Sequence, residues 1–320
     1  MLQVAMIGTW HVHFEGYAEE ISSRKDCEIT VIWDQNQERG KEAAKKFGCD
    51  FEPDYDKLLG REDVQAVAVC TETNLHPQIL IKAANAGKHI FTEKVLCFTC
   101  DEAEKVREAV NAGGVRFCIS FPWRCRAEYL YAKNAVESGL LGQVTYARVR
   151  NAHDGASSAW LPEYFYDPVL CGGGAMMDLG AHPMYLLQNL FGTPTAVTSV
   201  FTDIYKKPVE DNAVSILEFG GMIASSETGF VSRNCPFTME ISGTKGTLIW
   251  GGNADKLMVD TGDGFEEPKL GEPLKKPVDQ WVDGILYGGE IHFGIDDAVE
   301  LTRMMEKAYE SSRAHKRIAF

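Results

Sequence analysis

Short apolar runs alternate with helical patterns along the first third of the chain. Five runs have the length and the β-branched content of strands, at 4–7, 28–33, 64–70, 89–92 and 116–120. Four stretches between them have the composition of helices, near 13–23, 37–47, 77–86 and 100–112. A strand that is apolar throughout, such as 64–70, is typical of a parallel sheet covered on both faces. The alternation therefore predicts a doubly wound, mostly parallel sheet of the α/β class.

The pattern changes after Phe121. A helix is predicted over 128–138, a strand over 144–151 and a further helix near 175–191. Strand-like stretches joined by short turns then run from 195 to 250, which predicts antiparallel pairing. A last amphipathic helix is expected from about Asp296 to Ser312. We therefore predict an α/β domain over residues 1–121 and an α+β domain with an open, mostly antiparallel sheet over residues 122–320.

Composition and charge narrow the range of partners. The 320 residues are 45% hydrophobic and 24% charged, which is typical of a globular chain rather than a disordered one. The formal net charge is −14 and no run of Lys or Arg stands out, so neither a nucleic acid nor an anionic membrane is expected as a partner. No apolar run approaches the roughly 20 residues that a membrane span needs. The N-terminal residues have the pattern of a strand rather than of a signal peptide, and we expect a cytoplasmic protein.

A dinucleotide signal is present only in part. A strand-turn-helix that binds pyrophosphate has the pattern G-x-G-x-x-G, whereas residues 8–13 read GTWHVH and keep only Gly8. Asp34 ends the second strand 26 residues later, where a carboxylate accepts the ribose hydroxyls and favours NAD over NADP. The alternatives are an ordinary βα turn at Gly8 and a surface aspartate that caps a turn.

Three further motifs carry a family resemblance. Residues 71–76 (TETNLH) and 86–94 (AGKHIFTEK) follow a T-x-N-x-x-H, A-G-K-H and E-K-P series, with Val95 in place of the proline. Residues 172–182 (GGGAMMDLGAH) match G-G-G-x-x-x-D-x-G-x-H, and residues 240–248 (EISGTKGTL) match a hairpin of a sheet domain. Together these motifs resemble the Gfo/Idh/MocA oxidoreductases, named for glucose–fructose oxidoreductase, inositol dehydrogenase and a rhizopine-catabolism protein. The resemblance spans nearly the whole chain.

The resemblance implies an NAD(P)-dependent dehydrogenase that acts on a sugar or polyol hydroxyl, with a Rossmann domain over 1–121 and a substrate-binding and oligomerisation domain over 122–320. The family's catalytic residues correspond to Lys94, Asp178 and His182. Its cofactor contacts correspond to Gly8, Asp34, Thr71, Asn74 and Glu93. We add their neighbours to the candidate cofactor-binding set: Thr9, Trp10, His11, His76 and Lys94.

The chemistry of alcohol oxidation suits these catalytic residue types. A base that titrates near neutral pH, such as His182, would remove the hydroxyl proton. The ammonium of Lys94 would stabilise alkoxide character in the transition state. Asp178 and His182 share one face if a single helix carries both, but that argument fails if the helix begins at Pro183. A core histidine remains the alternative for His182, and the Lys94–Val95 bond is expected either in a rebuilt trans loop or as a retained cis bond.

Weaker candidates surround the substrate position. Arg124 and His153 are expected to contact substrate together with His182, with a solvated arginine and a structural histidine as alternatives. His11 and His13 flank the nucleotide turn, where histidines spaced by one residue usually point apart. Hydrogen bonding at the helix start is expected there, and no metal site is predicted.

The leading functional hypothesis is an NAD-dependent oxidoreductase of a sugar, cyclitol or glycoside. Two alternatives stay open on the same fold: a glycoside-cleaving enzyme that recycles its NAD, and a non-catalytic sensor of sugar or NAD. An open sheet with an apolar outer face usually finds a partner sheet, so we expect a homodimer or homotetramer formed through the second domain.

Overall fold

The computed structural model describes residues 1–235, 237–252 and 255–320, and these form two compact units. The first unit comprises Met1–Ser120 and Lys275–Thr302, and the second comprises Phe121–Leu274 and Arg303–Phe320. The chain thus passes between the units three times. We predicted one passage between domains, near residue 121, with domains over 1–121 and 122–320. The return of residues 275–302 to the first unit was not predicted.

The first unit is built on a six-stranded parallel sheet with the strand order β3-β2-β1-β4-β5-β6. Its strands are β1 (Leu2–Ile7), β2 (Cys27–Trp33), β3 (Asp50–Phe51), β4 (Ala66–Val69), β5 (His89–Thr92) and β6 (Phe117–Ile119). Its first five helices are α1 (Phe14–Ser23), α2 (Gln37–Phe47), α3 (Tyr55–Leu59), α4 (His76–Asn85) and α5 (Cys100–Gly113). The predicted doubly wound parallel sheet is confirmed. With only two residues, β3 is too short to produce a periodic pattern, which explains why five strands rather than six were predicted.

The parallel topology brings the candidate residues of this unit to one edge of the sheet. Gly8, Asp34 and Glu93 directly follow β1, β2 and β5, and Thr71 comes two residues after β4. Because β1 pairs with both β2 and β4, the strand order reverses beside β1. In open α/β sheets, ligands bind outside the carboxyl ends of the strands at such a reversal.

The second unit contains a mostly antiparallel sheet with the order β13-β12-β11-β7-β10-β9-β8-β14, in which only β7 and β10 pair in parallel. Its strands are β7 (Val144–Ala152), β8 (Ala196–Thr202), β9 (Asn212–Glu218), β10 (Ile223–Gly229), β11 (Thr238–Gly243), β12 (Thr247–Gly251), β13 (Lys256–Asp260) and β14 (Ile318–Ala319). Its helices before the return are α6 (Ala127–Glu137), α7 (Pro168–Cys171), α8 (Ala175–Asp178) and α9 (Ala181–Phe191). The predicted α+β class with an open, mostly antiparallel sheet is confirmed.

The return segment completes the edge of the first unit beside β6. It carries α10 (Pro277–Leu286) and the first part of α11 (Ile295–Ala314), the helix predicted over 296–312. The backbone N–H of Ile119 in β6 donates to the carbonyl oxygen of Phe293 at 3.0 Å. Arg24 also donates to Asp279 and Asp283, both at 2.7 Å. The edge strand therefore gains a backbone partner, and the charges on α10 are paired within the same unit.

Within the described residues, no helix is long and apolar enough to cross a lipid bilayer.

Candidate active site

The turn after β1 requires its single glycine. Gly8 has a φ of +79°, and a Cβ placed there would lie 2.5 Å from Cγ2 of Thr71. The backbone N–H of Gly8 donates to the carbonyl oxygen of Trp33 at 2.7 Å, which extends the pairing of β1 with β2. A side chain at this position would therefore face both backbone strain and a clash with the segment after β4.

Asp34 fixes this turn from the end of β2. Its Oδ2 accepts hydrogen bonds from the backbone N–H and the hydroxyl of Thr9, both at 2.7 Å. Arg39, in the first turn of α2, donates to both carboxylate oxygens at 2.9 and 2.7 Å and also to Glu72 at 3.1 Å. Only 1% of Asp34 is exposed. The surface-aspartate alternative is therefore wrong, because the carboxylate is buried and ties the first turn to α2.

Other contacts replace the two missing glycines of the turn. Trp10, at the second glycine position, is buried, and the backbone N–H of His11 donates to the carbonyl oxygen of Cys70 at 3.1 Å. Close packing instead involves Gly40 on α2, where a Cβ would lie 2.9 Å from Cβ of Asp34. The turn is therefore held by tertiary contacts that its own sequence motif does not show.

The segment after β4 presents polar atoms that suit a bound dinucleotide. The hydroxyl of Thr71 and the side-chain oxygen of Asn74 are buried and have no hydrogen-bond partner among the residues that the structure describes. Buried polar groups are normally satisfied, and an exception calls for a ligand or an ordered water. The glycine turn, Asp34 and these two polar groups therefore fit an NAD-type cofactor.

A buried carboxylate organises the carboxyl end of β5. Glu93 Oε1 lies 2.6 Å from His13 Nδ1 and 3.7 Å from His11 Nδ1. It also accepts a hydrogen bond from the hydroxyl of Tyr17, whose oxygen lies 2.7 Å from the Ser120 hydroxyl oxygen. The expectation that the two imidazoles point apart is wrong, because both turn toward this carboxylate.

The protonation states of this cluster follow from burial and charge. Burial alone would raise the pKa of Glu93, but the charges of His11, His13 and Lys94 and the hydrogen bond from His13 together hold it well below its usual range. Burial, followed by the neighbouring Glu93 charge, raises the pKa of Tyr17 well above its ordinary value. At neutral pH, Glu93 is therefore an anion and Tyr17 a neutral donor.

Lys94 follows directly on this carboxylate. Its backbone N–H donates to Glu93 Oε2 at 2.7 Å, and only 5% of the residue is exposed. Of the two expected conformations, the Lys94–Val95 peptide bond adopts cis. Next to it, Nδ1 of the buried His76 lies 3.0 Å from the carbonyl oxygen of Val95. The backbone around Lys94 is thus fixed from both sides.

In the second unit, Asp178 and His182 lie on two successive helices. Asp178 is the last residue of α8, and His182 is the second residue of α9. The single helix on which the shared-face prediction depends is divided in two, because Leu179 and Gly180 separate α8 from α9. Pro183 occupies the first turn of α9, where proline is tolerated. In the segment that links the two helices, the backbone N–H of His182 donates to the carbonyl oxygen of Leu179 at 3.2 Å.

The glycines before Asp178 have a packing role that the sequence did not reveal. A Cβ at Gly173 would lie 1.9 Å from the Tyr309 hydroxyl oxygen, and a Cβ at Gly174 would lie 2.0 Å from the Glu210 carbonyl oxygen. The Glu210 carboxylate accepts hydrogen bonds from the N–H groups of Gly174 and Met176 and from the Tyr309 hydroxyl, at 2.6–3.0 Å. Glu210 and Tyr309 therefore hold this segment, although no local motif marks either of them.

His182 is mostly buried beside an aromatic pair. Its Nδ1 lies 2.9 Å from the Tyr185 hydroxyl oxygen, which also accepts the backbone N–H of Trp123 at 3.4 Å. Tyr185 stacks on Phe121 with ring centroids 4.2 Å apart, and burial raises the pKa of its phenol well above the ordinary value. A neutral tyrosine therefore fixes the orientation of the His182 ring.

The two weaker substrate candidates have different surroundings. Arg124 is buried, and its guanidinium lies 6.0 Å from the Phe121 ring centroid. His153 stacks on Phe230 with ring centroids 5.1 Å apart, and its Nδ1 accepts the Gly155 N–H at 3.0 Å. Arg124 is thus not the solvated arginine of the alternative, whereas His153 has the contacts of a structural histidine.

Several residues of these networks were not predicted from the sequence. Tyr17 lies four residues after His13 at the start of α1, and this helical spacing could have marked it. Arg39 lies at the N-terminal turn of α2 after the capping residue Asn36, which could have placed it beside Asp34. The contacts of Ser120 with Tyr17 and of Glu72 with Arg39 are tertiary contacts that no local sequence pattern indicates.

Two family models match the chain and together cover more than half of it. One, described as the NAD-binding Rossmann fold of an oxidoreductase family, the GFO/IDH/MocA family, matches residues 2–121. The other is the GFO/IDH/MocA C-terminal domain and matches residues 129–249.

Curated relatives with named activities include two sugar or cyclitol dehydrogenases. Levoglucosan dehydrogenase of Pseudarthrobacter phenanthrenivorans is 27% identical over 69% of this chain and 64% of that protein, slightly less than two thirds of its length. Inositol 2-dehydrogenase of Rhizobium meliloti is 21% identical over 95% of this chain and 94% of that protein.

Solved structures share the fold over the full length of the chain. A levoglucosan dehydrogenase in complex with NADH and L-sorbose superimposes with a TM-score of 0.88 at 23% identity, covering 100% of this chain and 98% of that one. GenD2 from gentamicin A biosynthesis, in complex with NAD, gives a TM-score of 0.85 at 23% identity, with 100% and 96% coverage. At these identities the likeness shows the fold alone.

Replacement of the buried carboxylate by Glu93→Gln is expected to lower the free energy of unfolding by about 2–3 kcal/mol at pH 7, because donors to a charged acceptor are lost. The folded-state pKa of Glu93 lies below its unfolded value, so this contribution is present above about pH 4.3 and is lost as the pH falls through the folded-state pKa. The difference in the free energy of unfolding between wild type and variant should therefore decrease below about pH 4.3. Urea unfolding at several pH values measures it. Exposed Glu15→Gln is the control, and a difference that is independent of pH contradicts the assignment.

Proposed function

Because the chain belongs to the Gfo/Idh/MocA family of oxidoreductases, we propose that it oxidises a secondary hydroxyl of a sugar, cyclitol or glycoside, with NAD as the hydride acceptor. Levoglucosan dehydrogenase and inositol 2-dehydrogenase among its relatives support this class of substrate. The observation that carries the proposal is the buried Lys94, whose backbone is held by the Glu93 carboxylate at the ligand-binding edge of the parallel sheet.

The first unit offers the groups that would hold the dinucleotide. Gly8, Thr9 and Asp34 form the turn and its acidic partner, and Thr71 and Asn74 offer buried polar atoms without partners among the described residues. Trp10, His11, His76, Glu93 and Lys94 complete the proposed cofactor-binding set. When bound, NAD supplies the hydride acceptor of the reaction.

The charges beside Asp34 favour NAD over NADP. The Arg39 guanidinium is shared by two carboxylates, those of Asp34 and Glu72. This group of three side chains has a net negative charge, and its one cation is already paired. A 2′-phosphate at this position would meet electrostatic repulsion, whereas free ribose hydroxyls can donate to a carboxylate.

His182 acts as the base in the proposed reaction. The hydroxyl proton would pass from oxygen to His182 Nε2 as the carbon that bears the hydroxyl gives up a hydride, for which NAD would be the acceptor, so the alcohol loses two electrons and two hydrogens. Tyr185 beside Nδ1 orients the ring for this transfer, as the second partner of a catalytic histidine does. Lys94 stabilises the developing negative charge on oxygen. Asp178, at the end of α8, is the third proposed catalytic residue.

Arg124 and His153 are the proposed additional substrate contacts. The burial of the Arg124 guanidinium in the second unit supports a hydrogen-bonding role toward sugar hydroxyls. His153 has weaker support, because Nδ1 of its ring already accepts a backbone N–H of its own loop.

Replacement of the catalytic lysine tests the proposal. Lys94→Ala should lower kcat by about 10²–10⁴-fold, because the charge that stabilises the alkoxide is lost. NAD should still bind, because the other members of the proposed cofactor-binding set remain, and exposed Lys82→Ala is the matched control. Release of NADH is followed with a panel of levoglucosan, inositols, sugars and glycosides.

Turnover of Lys94→Ala near the wild-type rate contradicts the assigned role. Cleavage of a glycoside without net NADH release would instead identify the enzyme that recycles its cofactor. Tight sugar binding without any turnover over the panel would identify a sensor.

We propose that the chain assembles as a homodimer or homotetramer through the sheet of the second unit. On one face of this sheet, Val200 is 66% exposed and is paired with Val214, which is 38% exposed. Ile216 and Ile223 extend the apolar face at 39% and 49% exposure. Such a face is typically covered by a partner.

The assembly surface is tested by placing charge on it. The double variant Val214→Lys, Ile216→Lys should shift the mass measured by light scattering at micromolar protein from an oligomer toward the monomer. Val169→Lys, at an exposed position outside the sheet, is the matched control. A monomeric wild type, or an oligomer that both lysines leave intact, contradicts the proposal.

A further inference from the structure

Three side chains of metal-ligating type converge in the first unit. His11, His13 and Glu93 each offer one donor atom, and the three atoms lie within 4.8 Å of one another. His11 and His13 come from the turn between β1 and α1, and Glu93 ends β5. The two imidazole rings are close, with centroids 4.8 Å apart and planes inclined by 60°.

The spacing suits a small divalent cation. Zinc binds imidazole nitrogen and carboxylate oxygen at about 2.0–2.2 Å, so neighbouring donor atoms of a zinc site lie about 3–3.5 Å apart. The carboxylate oxygen is 2.6 Å from His13 Nδ1 and 3.7 Å from His11 Nδ1, which brackets that range. All three donor atoms lie within 4.8 Å of one another, so an ion at this place would replace the hydrogen bond between His13 and Glu93 and draw the donors together.

The surroundings of Glu93 resemble the outer shell of a metal site. The Tyr17 hydroxyl and the Lys94 backbone N–H both donate to the carboxylate, and the Tyr17 hydroxyl oxygen lies 2.7 Å from that of Ser120. Outer partners of this kind orient a metal-binding carboxylate and contribute to affinity.

Burial and charge favour a cation at this place. The side chains of Glu93 and His11 are 2% and 7% exposed, so the carboxylate needs positive charge nearby. The side chain of His13 is 51% exposed, which gives an ion access from solvent and leaves coordination positions for water. Two histidines and one carboxylate with open positions form a ligand set that binds zinc or iron-type divalent cations.

We propose that His11, His13 and Glu93 form a binding site for one divalent cation of the zinc class. This site lies wholly within the first unit, and because His11 and Glu93 also belong to the proposed cofactor-binding set, an ion and NAD would share these two residues. Because Glu93 also accepts the Lys94 N–H, occupation of the site is coupled to the backbone position of Lys94.

Metal titration of the full-length protein tests the site. After treatment with a chelator, the protein is titrated with Zn²⁺ by calorimetry and with Co²⁺ by visible absorption, both without NAD. We expect one equivalent of each ion to bind, with d–d absorption bands from Co²⁺. His13→Ala should weaken binding by at least 10-fold, because a ligand is lost, and Tyr17→Phe should weaken it by about 10-fold through the outer shell.

Two controls keep the result decisive. His13→Ala also removes a hydrogen-bond partner of the buried Glu93, so its unfolding midpoint is measured to confirm that the variant is folded at the titration temperature, and His292→Ala removes another partly exposed histidine of the same unit. Absence of Zn²⁺ and Co²⁺ binding, or binding that His13→Ala leaves unchanged, would overturn the proposal.

Discussion

The burial of one carboxylate shapes the ligand-binding edge of the first unit. Glu93 is 1% exposed, and an ion in such a place is stable only with charge and hydrogen bonds around it. The chain supplies them from three directions: the two histidines after β1, Tyr17 on α1, and the backbone of Lys94. The same interactions therefore place the turn after β1, the start of α1 and the proposed catalytic lysine relative to one another.

A second buried carboxylate plays the matching role at the nucleotide turn. In the G-x-G-x-x-G pattern, glycines let the turn and the following helix pack closely against pyrophosphate and sheet. Here only Gly8 remains, and the turn is held by hydrogen bonds from the backbone N–H and the hydroxyl of Thr9 to the Asp34 carboxylate. Arg39 donates to both oxygens of the same carboxylate. Side-chain hydrogen bonds thus stabilise the turn in place of the two absent glycines. An incomplete glycine motif therefore does not imply that the nucleotide-binding turn is absent.

Much of the fold was predictable because it follows from periodic patterns. The alternation of strands and helices predicted the parallel sheet, and short turns predicted the antiparallel one. The two-residue strand β3 was not predictable, because it is too short to produce a periodic pattern. The return of 275–302 to the first unit was not predictable either, because it depends on contacts across long sequence distances. The convergence of His11 and His13 on Glu93, and the role of Glu210 and Tyr309 behind the glycines, were missed for the same reason.

The central claim is that the first unit binds NAD despite its reduced glycine motif. Calorimetric titration of the wild-type protein and of Asp34→Ala with NAD and with NADP tests it most directly. We expect NAD to bind in preference to NADP and the substitution to weaken NAD binding, because Asp34 holds the turn and is the proposed acceptor for the ribose hydroxyls. Absence of binding for both nucleotides would contradict the claim and would favour a protein that retains the fold without the chemistry.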